Sequence, residues 1–327
     1  MEFNMKKTLL ALLLPSLVAT AAGAAEVYKD DGQSINLYGR AYAGHFFSGE
    51  EKNAEFGDDS YVRVGAKLKS DITDSMSAFA RYELQWDVAT GEKQDKTKTR
   101  LAYAGVKSDV GSFSYGRQYG ALELVADMTD NAYTNAYGND ALGVSKDNQG
   151  TNRDNSMLKY SNKFDALQLD GSYVFDDDTS KDISTAAYGL AAAYALDFGL
   201  TLAAGYNGSS PTDDYDSSLI LLGASYKTGP VKVAATFAQG SEFEGKDIDH
   251  TGYELTAEYK ITKELRAQIL YNAQETDNGT TTTDTVDDLV FGARYDFNKH
   301  FRTIAEYRIN GVDGKDDDFQ VAVRYDF

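Results

Sequence analysis

The sequence predicts an all-β chain, a sixteen-stranded antiparallel transmembrane β-barrel. Three observations carry that expectation. Segments of about ten residues alternate apolar and polar side chains with a period of two. Their connections come in two lengths that alternate along the chain. After the first two dozen residues, no stretch offers the ~20 apolar residues that a spanning helix needs.

The first 24 residues are set apart. Lys6 and Lys7 precede the apolar run TLLALLLPSLVATAAGAA, and Ala22-Gly23-Ala24 is a small-x-small cleavage signal. The run contains Pro15 and is too short to span a bilayer. A secretory signal peptide over 1–24 is therefore expected, with the barrel over 25–327.

The whole chain of 327 residues carries 32 Lys+Arg against 51 Asp+Glu. Setting aside Lys6, Lys7 and Glu2 leaves 30 against 50, a net charge of −20. Nucleic acid is excluded as a partner, because its phosphates demand a basic face. Cysteine is absent, so no disulfide framework holds the exported chain. Glycine and tyrosine are abundant, at 29 and 23, and proline is scarce at 3. Mean hydropathy is negative. That suits a barrel, whose strands present lipid with every second residue only.

The strands follow in order. Segment 61–69 sets Val62, Val64, Ala66 and Leu68 opposite Tyr61, Arg63, Lys67 and Lys69. Segment 78–88 sets Ala78, Ala80, Tyr82, Leu84, Trp86 and Val88 opposite Arg81, Glu83, Gln85 and Asp87. Segments 253–259, 289–297 and 319–327 repeat the pattern, the last reading FQVAVRYDF. Short connections are expected at 71–74, 108–111, 196–199, 227–230, 260–263 and 297–300. Long acidic ones are expected at 48–59, 176–182, 207–216, 240–250 and 275–288. Short turns on one rim and long loops on the other are the layout of an outer-membrane barrel.

Lipid cannot hydrogen-bond a backbone, so a spanning sheet must close on itself. Sixteen strands enclose a lumen too wide for side chains to fill, and water fills it. Charged inward faces then need no apolar core. The stretch ALELVADMTDNAYTNAYG, 121–138, breaks the alternation without being a run of turn residues.

With these segments in place, the chain resembles the general diffusion porins of the Gram-negative outer membrane. The resemblance runs through AEVYKDDGQSINLYGRA, SYVRVGAKLKSDI, KTRLAYAGVKSDVGSFSYGRQYG, FNKHF and the terminal Phe327. It implies a homotrimer in contact with outer-membrane lipid and lipopolysaccharide. It also implies that the third extracellular loop, the 121–138 stretch, folds inward to form the narrowest point. Small hydrophilic solutes would cross passively, with a weak preference for cations.

The same resemblance assigns Arg40, Arg63, Arg100 and Arg153 to the basic side of that constriction. The alternation agrees in direction: Arg40 lies opposite Ile35, Leu37, Ala41 and Ala43, Arg63 opposite Val62 and Val64, and Arg100 opposite Leu101 and Tyr103. A charge on the lipid side would cost about 2–4 kcal/mol at mid-bilayer. Arg81 and Lys67 are further inward candidates. On the acidic side the resemblance gives Asp127 and Asp130. The family's Pro-Glu-Phe-Gly-Gly-Asp run is absent, the chain reading TDNAYTNAYGND, which leaves Asp140 and Glu123 open. A trimer contact between Glu92 and a neighbour's Arg117 is implied as well.

No enzyme is expected. The three histidines, His45, His250 and His300, lack the serine and orienting acid of a hydrolase signature. Neither a metal nor a cofactor is expected from the spacings. The alternative function is a substrate-specific sugar or oligosaccharide channel, for which Tyr133 and Tyr137 would form an aromatic track.

Overall fold

The computed structural model describes residues 25–48, 57–88, 96–134, 137, 141–144, 150–175, 186–212, 215–241 and 247–327. Sixteen antiparallel strands form the wall. They are β1 (Gln33–Ser48), β2 (Tyr61–Thr73), β3 (Met76–Asp87), β4 (Lys96–Ser108), β5 (Gly111–Tyr119), β6 (Arg153–Phe164), β7 (Leu167–Val174) and β8 (Ala187–Ala195). Then follow β9 (Leu200–Thr212), β10 (Tyr215–Thr228), β11 (Val231–Ser241), β12 (Asp249–Lys260), β13 (Leu265–Asp277), β14 (Thr282–Asp296), β15 (Phe301–Asn310) and β16 (Asp318–Asp326). Each pairs with its neighbours in sequence.

Closure is made at the chain ends. β16 pairs with the upper part of β1, from Asp318↔Ser48 to Asp326↔Arg40. A short leading segment, Ala25–Asp30, pairs with the lower part, ending at Asp30↔Gln33. The two segments share one edge of β1, and together they complete a single wall strand. The backbone of Phe327 exchanges hydrogen bonds of 2.9 and 3.1 Å with Gly39 at their junction. The Phe327 ring lies over the Gly39 backbone: a Cβ there would come within 2.3 Å of it.

The wall is inside-out relative to a water-soluble sheet. On β12, Leu255 is 50% exposed while its neighbour Glu254 is 1% exposed. On β16, Phe319, Val321, Val323 and Tyr325 are exposed and Gln320 is buried. The apolar residues therefore point outward, where lipid stabilises them, and the polar ones inward. Aromatic residues cluster on the outer face near the short-turn rim, as in Tyr295 against Phe297 and Phe113 against Tyr160, each at 4.9 Å.

The connections differ from expectation in four places. Stretches 207–216 and 275–288, read as long loops, are largely strand. β9 and β10 still pair at Ser209↔Ser217, and β13 and β14 at Asp277↔Thr282. A β-ladder is built from backbone groups, so Ser- and Thr-rich hairpins extend it beyond the apolar band. A tight turn at 165–166, with Asp165 at a φ of 49°, and a connection at 311–317 are not among those expected; the first carries little turn signal, whereas the second holds Asn310-Gly311 and Asp313-Gly314.

Candidate functional site

The site begins with the 121–144 stretch. One helical turn, α1 (Glu123–Ala126), starts it. Leu122, Val125 and Ala126 are buried with Ala191 and Ala193 of β8, Ala203 of β9, Leu219 and Leu221 of β10, and Ala234 and Ala238 of β11. The floor is built from small residues. On β8 the inner face reads Ala187, Gly189, Ala191, Ala193, whereas the outer face carries Tyr188, Leu190 and Tyr194. An inward face made of alanine and glycine, amid strands with charged inner faces, is a signal that the sequence held.

Beyond α1 the contacts turn polar and reach successive strands. Thr129 donates to Glu254 of β12 at 2.7 Å. Asn131 donates to Thr256 at 3.2 Å and receives the Lys232 ammonium. The Tyr133 hydroxyl donates to Glu258 at 2.9 Å. Glu306 of β15 accepts from the Tyr133 and Thr134 backbone N–H groups at 2.9 and 3.1 Å, and from the Thr134 hydroxyl. The Tyr137 hydroxyl donates to Asp318 of β16. Glu254 and Gln274 bind the backbone of Ala141 at 3.2 and 3.0 Å. At Gly252 the approach is closest, since a Cβ would meet the Ala141 carbonyl at 1.8 Å. Apart from Lys232 of β11, these partners lie on the inner face of β12–β16.

A second group lies on β1–β4. Arg100 is 2.7 Å from Glu83, Arg81 3.2 Å and Arg63 3.8 Å. The Tyr38 hydroxyl adds a bond of 2.8 Å to the same carboxylate. Arg40 instead pairs with Asp326 at 3.1 Å, and Arg302 and Arg324 reach that carboxylate at 3.0 and 2.9 Å. Each acid thus collects three guanidiniums. Burial is what makes this arrangement informative: Glu83 is 4% exposed, so its charge depends on those partners.

The structure places Arg40, Arg63 and Arg100 on adjacent parts of the wall, where their ion pairs run to Glu83 and Asp326. Arg153 opens β6 and lies over the Tyr119 ring at 5.6 Å, and Arg100 donates to the hydroxyl of that tyrosine at 3.1 Å. Asp127 caps α1 and is exposed, as is Asp130. Arg117 sits beside the outward aromatics of β5 and donates to the Thr99 carbonyl at 2.8 Å and to Asn155 at 3.2 Å. Glu92 and Asp140 lie outside the described residues. Sequence reasoning missed the strand carboxylates Asp326, Glu254, Glu306 and Asp318 as anchors, and saw Glu83 only as a wet-face residue. Their signal was an acid at an inward position of a spanning strand.

The loop acids interact with one another. Burial and the nearby charges of Asp127 and Asp130 push the Glu123 carboxyl well above the usual carboxylate range, and it shares a hydrogen bond with Asp127. Asp127 keeps solvent contact, yet the loss of part of its hydration against the packed loop and the Asp130 charge raise it as well. A carboxyl raised in the folded state is penalised when ionised, so loop docking strengthens as pH falls through the raised value. The negative charge of the loop is lost over the same interval. We expect any cation preference to fall on acidification before ordinary surface carboxylates, near pKa ~4, have titrated. Reversal potentials between neutral and mildly acid pH check this, and Asp127→Asn should flatten the change.

A family model described as Gram-negative porin matches residues 8–326. The chain is 32% identical over 358 residues to outer membrane protein F of Serratia marcescens, covering 95% of this chain and 94% of that one. The solved structure of Salmonella typhi OmpF in complex with daunomycin superposes with a TM-score of 0.81 at 27% identity, covering 92% and 99% of the two chains. The trimer form of Vibrio cholerae OmpT has the same fold, with a TM-score of 0.74 at 17% identity over 91% of this chain and 100% of that one. Among the described residues no cluster of acids and histidines could hold a metal ion.

Proposed function

The chain belongs to the Gram-negative porin family and is an outer-membrane channel rather than an enzyme, and from that premise we propose a passive diffusion pore narrowed by its 121–144 segment. Small hydrophilic solutes and ions cross the water-filled lumen between that segment and the arginines of β1–β4. The observation that carries the reading is the set of carboxylates, Glu254, Glu306 and Asp318, that bind the segment to the polar face of β12–β16. Bound there, the segment takes up lumen cross-section, and the wall bearing Arg40, Arg63 and Arg100 remains for solute.

Asp127 and Asp130 opposite these arginines set up a transverse field. Such a field orders water and orients dipolar solutes, and apolar solutes must displace that water. The net charge of −20 over residues 25–327, 30 Lys+Arg against 50 Asp+Glu, adds a weak preference for cations, which salt screens. Residues 1–24 act as a cleaved export signal. The channel assembles as a homotrimer among lipid and lipopolysaccharide, with Glu92 reaching a neighbour's Arg117.

The sugar-channel alternative depended on Tyr133 and Tyr137. Both rings are buried, at 6% and 1% exposure, and their hydroxyls are engaged by Glu258 and Asp318. Neither is available as a sliding surface for sugar rings. Single-channel recording tests the proposal. Large ohmic steps unaffected by maltose or its oligomers, with a reversal potential of cation sign in a salt gradient, are the expected result. Sugar-dependent block would return the alternative, and the absence of channels would sink both.

A further inference from the structure

Between the two three-arginine clusters lies a cavity of about 380 Å³ that a size filter does not require. Six cationic side chains line it: Arg40, Arg63, Lys67, Arg81, Arg302 and Arg324. Against them stand the carboxylates of Glu83 and Asp326. An ion-pair network that served only to hold strands together would be close to neutral. This one carries an excess of positive charge next to water and between low-dielectric walls, where field lines are focused and a mobile anion is recruited.

The chemistry of the lining narrows the class of anion. Five of the six cations are arginines, whose planar forks present paired N–H donors that match the oxygens of phosphate and carboxylate. Arg302 lies 3.6 Å from Asp296, and its Nε is buried without a hydrogen-bond partner. Lys67 lies over the Tyr38 ring at 5.2 Å and has no ion pair among the described residues. Two guanidinium clusters, side by side along one cavity on contiguous strands, suit an anion with several charged oxygens better than a single chloride.

The position is also distinct. Asp326 ends β16, Arg302 follows the turn at 297–300, and Lys67 pairs with Asn36 close to the start of β1. The cavity therefore lies in the half of the barrel nearer the short-turn rim. Arg302 and Arg324, on β15 and β16, lie outside the set of arginines read as the constriction.

We propose that this cavity is a subsite for multiply charged oxyanions of the phosphate class, holding them within the lumen during passage. The inference rests on the water-filled channel of the preceding section. Full-length protein in planar bilayers, with pyrophosphate added to a fixed potassium chloride background, tests it. Saturable reduction of the chloride current is expected. Arg302→Gln removes a charge-assisted partner and should raise the half-blocking concentration about tenfold. Lys67→Gln should shift it in the same direction by a smaller factor, and it leaves every ion pair of the two clusters intact if Arg302→Gln fails to fold. Channels that conduct in chloride but show no saturable block, or a block unchanged in the variants that fold, overturn the subsite and leave the pore reading standing. No channels in chloride alone would instead remove the pore reading.

Discussion

Glu306→Ala is expected to widen the channel while leaving the barrel closed. Glu306 is completely buried and accepts from the Tyr133 and Thr134 backbone N–H groups, the Thr134 hydroxyl and the Gln268 amide. Alanine leaves the two backbone N–H groups unsatisfied, at about 1–3 kcal/mol each. The middle of the 121–144 segment then loses about 2–6 kcal/mol of docking free energy. The wall itself is spared, because Glu306 pairs with Gly292 and Gln320 through its backbone. Single-channel conductance should rise, and liposomes bearing the variant should admit larger sugars. Glu306→Gln keeps one acceptor and should fall between wild type and alanine. Wild-type conductance from a heat-modifiable, folded Glu306→Ala barrel would falsify the anchoring role.

Glu83→Gln should shift ion preference toward anions and lower thermal stability together. One carboxylate holds Arg63, Arg81 and Arg100, and all four groups face the same part of the wall. The variant leaves three guanidiniums close together with their shared counter-charge gone. Removing one partner of a buried ion pair costs about 3–5 kcal/mol, and here three partners are affected. The amide oxygen still accepts a hydrogen bond, so the loss should fall toward the lower end. Arg100→Ala gives the opposite electrical result, since it removes a positive charge and leaves Glu83 with two partners. Reversal potentials in a salt gradient should move in opposite directions for the two variants. Movement in the same direction would show that these groups do not set the field that ions feel.

Much of the architecture was legible in the chain. FQVAVRYDF places apolar residues on one face and polar residues on the other, and β16 has that arrangement. YVRVGAKLK and the 78–88 segment do the same for β2 and β3. Such alternation is local, because successive side chains on a strand point to opposite sides wherever the strand lies. The direction of Arg40, Arg63 and Arg100 follows from it, as does the need to close the sheet. The extents of the hairpins at 207–216 and 275–288 were misread because polarity was taken for loop. Backbone pairing does not depend on side-chain polarity once the strands have left the bilayer.

The partnerships were not legible. Arg40 meets Asp326 across 286 positions of sequence, and Tyr133 meets Glu306 across 173. Period-two patterning says which face an acid occupies but not which arginine it meets. That choice depends on strand register, on the meeting of the leading segment and β16 along β1, and on the alanine floor that receives α1. The sequence by itself determined an exported, closed barrel with a wet interior, since lipid leaves a spanning sheet no other way to satisfy its backbone. Only the tertiary structure decided where charge is paired and where it is left in excess. Coulomb interactions depend on distance in space, and in a closed sheet the two ends of the chain become neighbours.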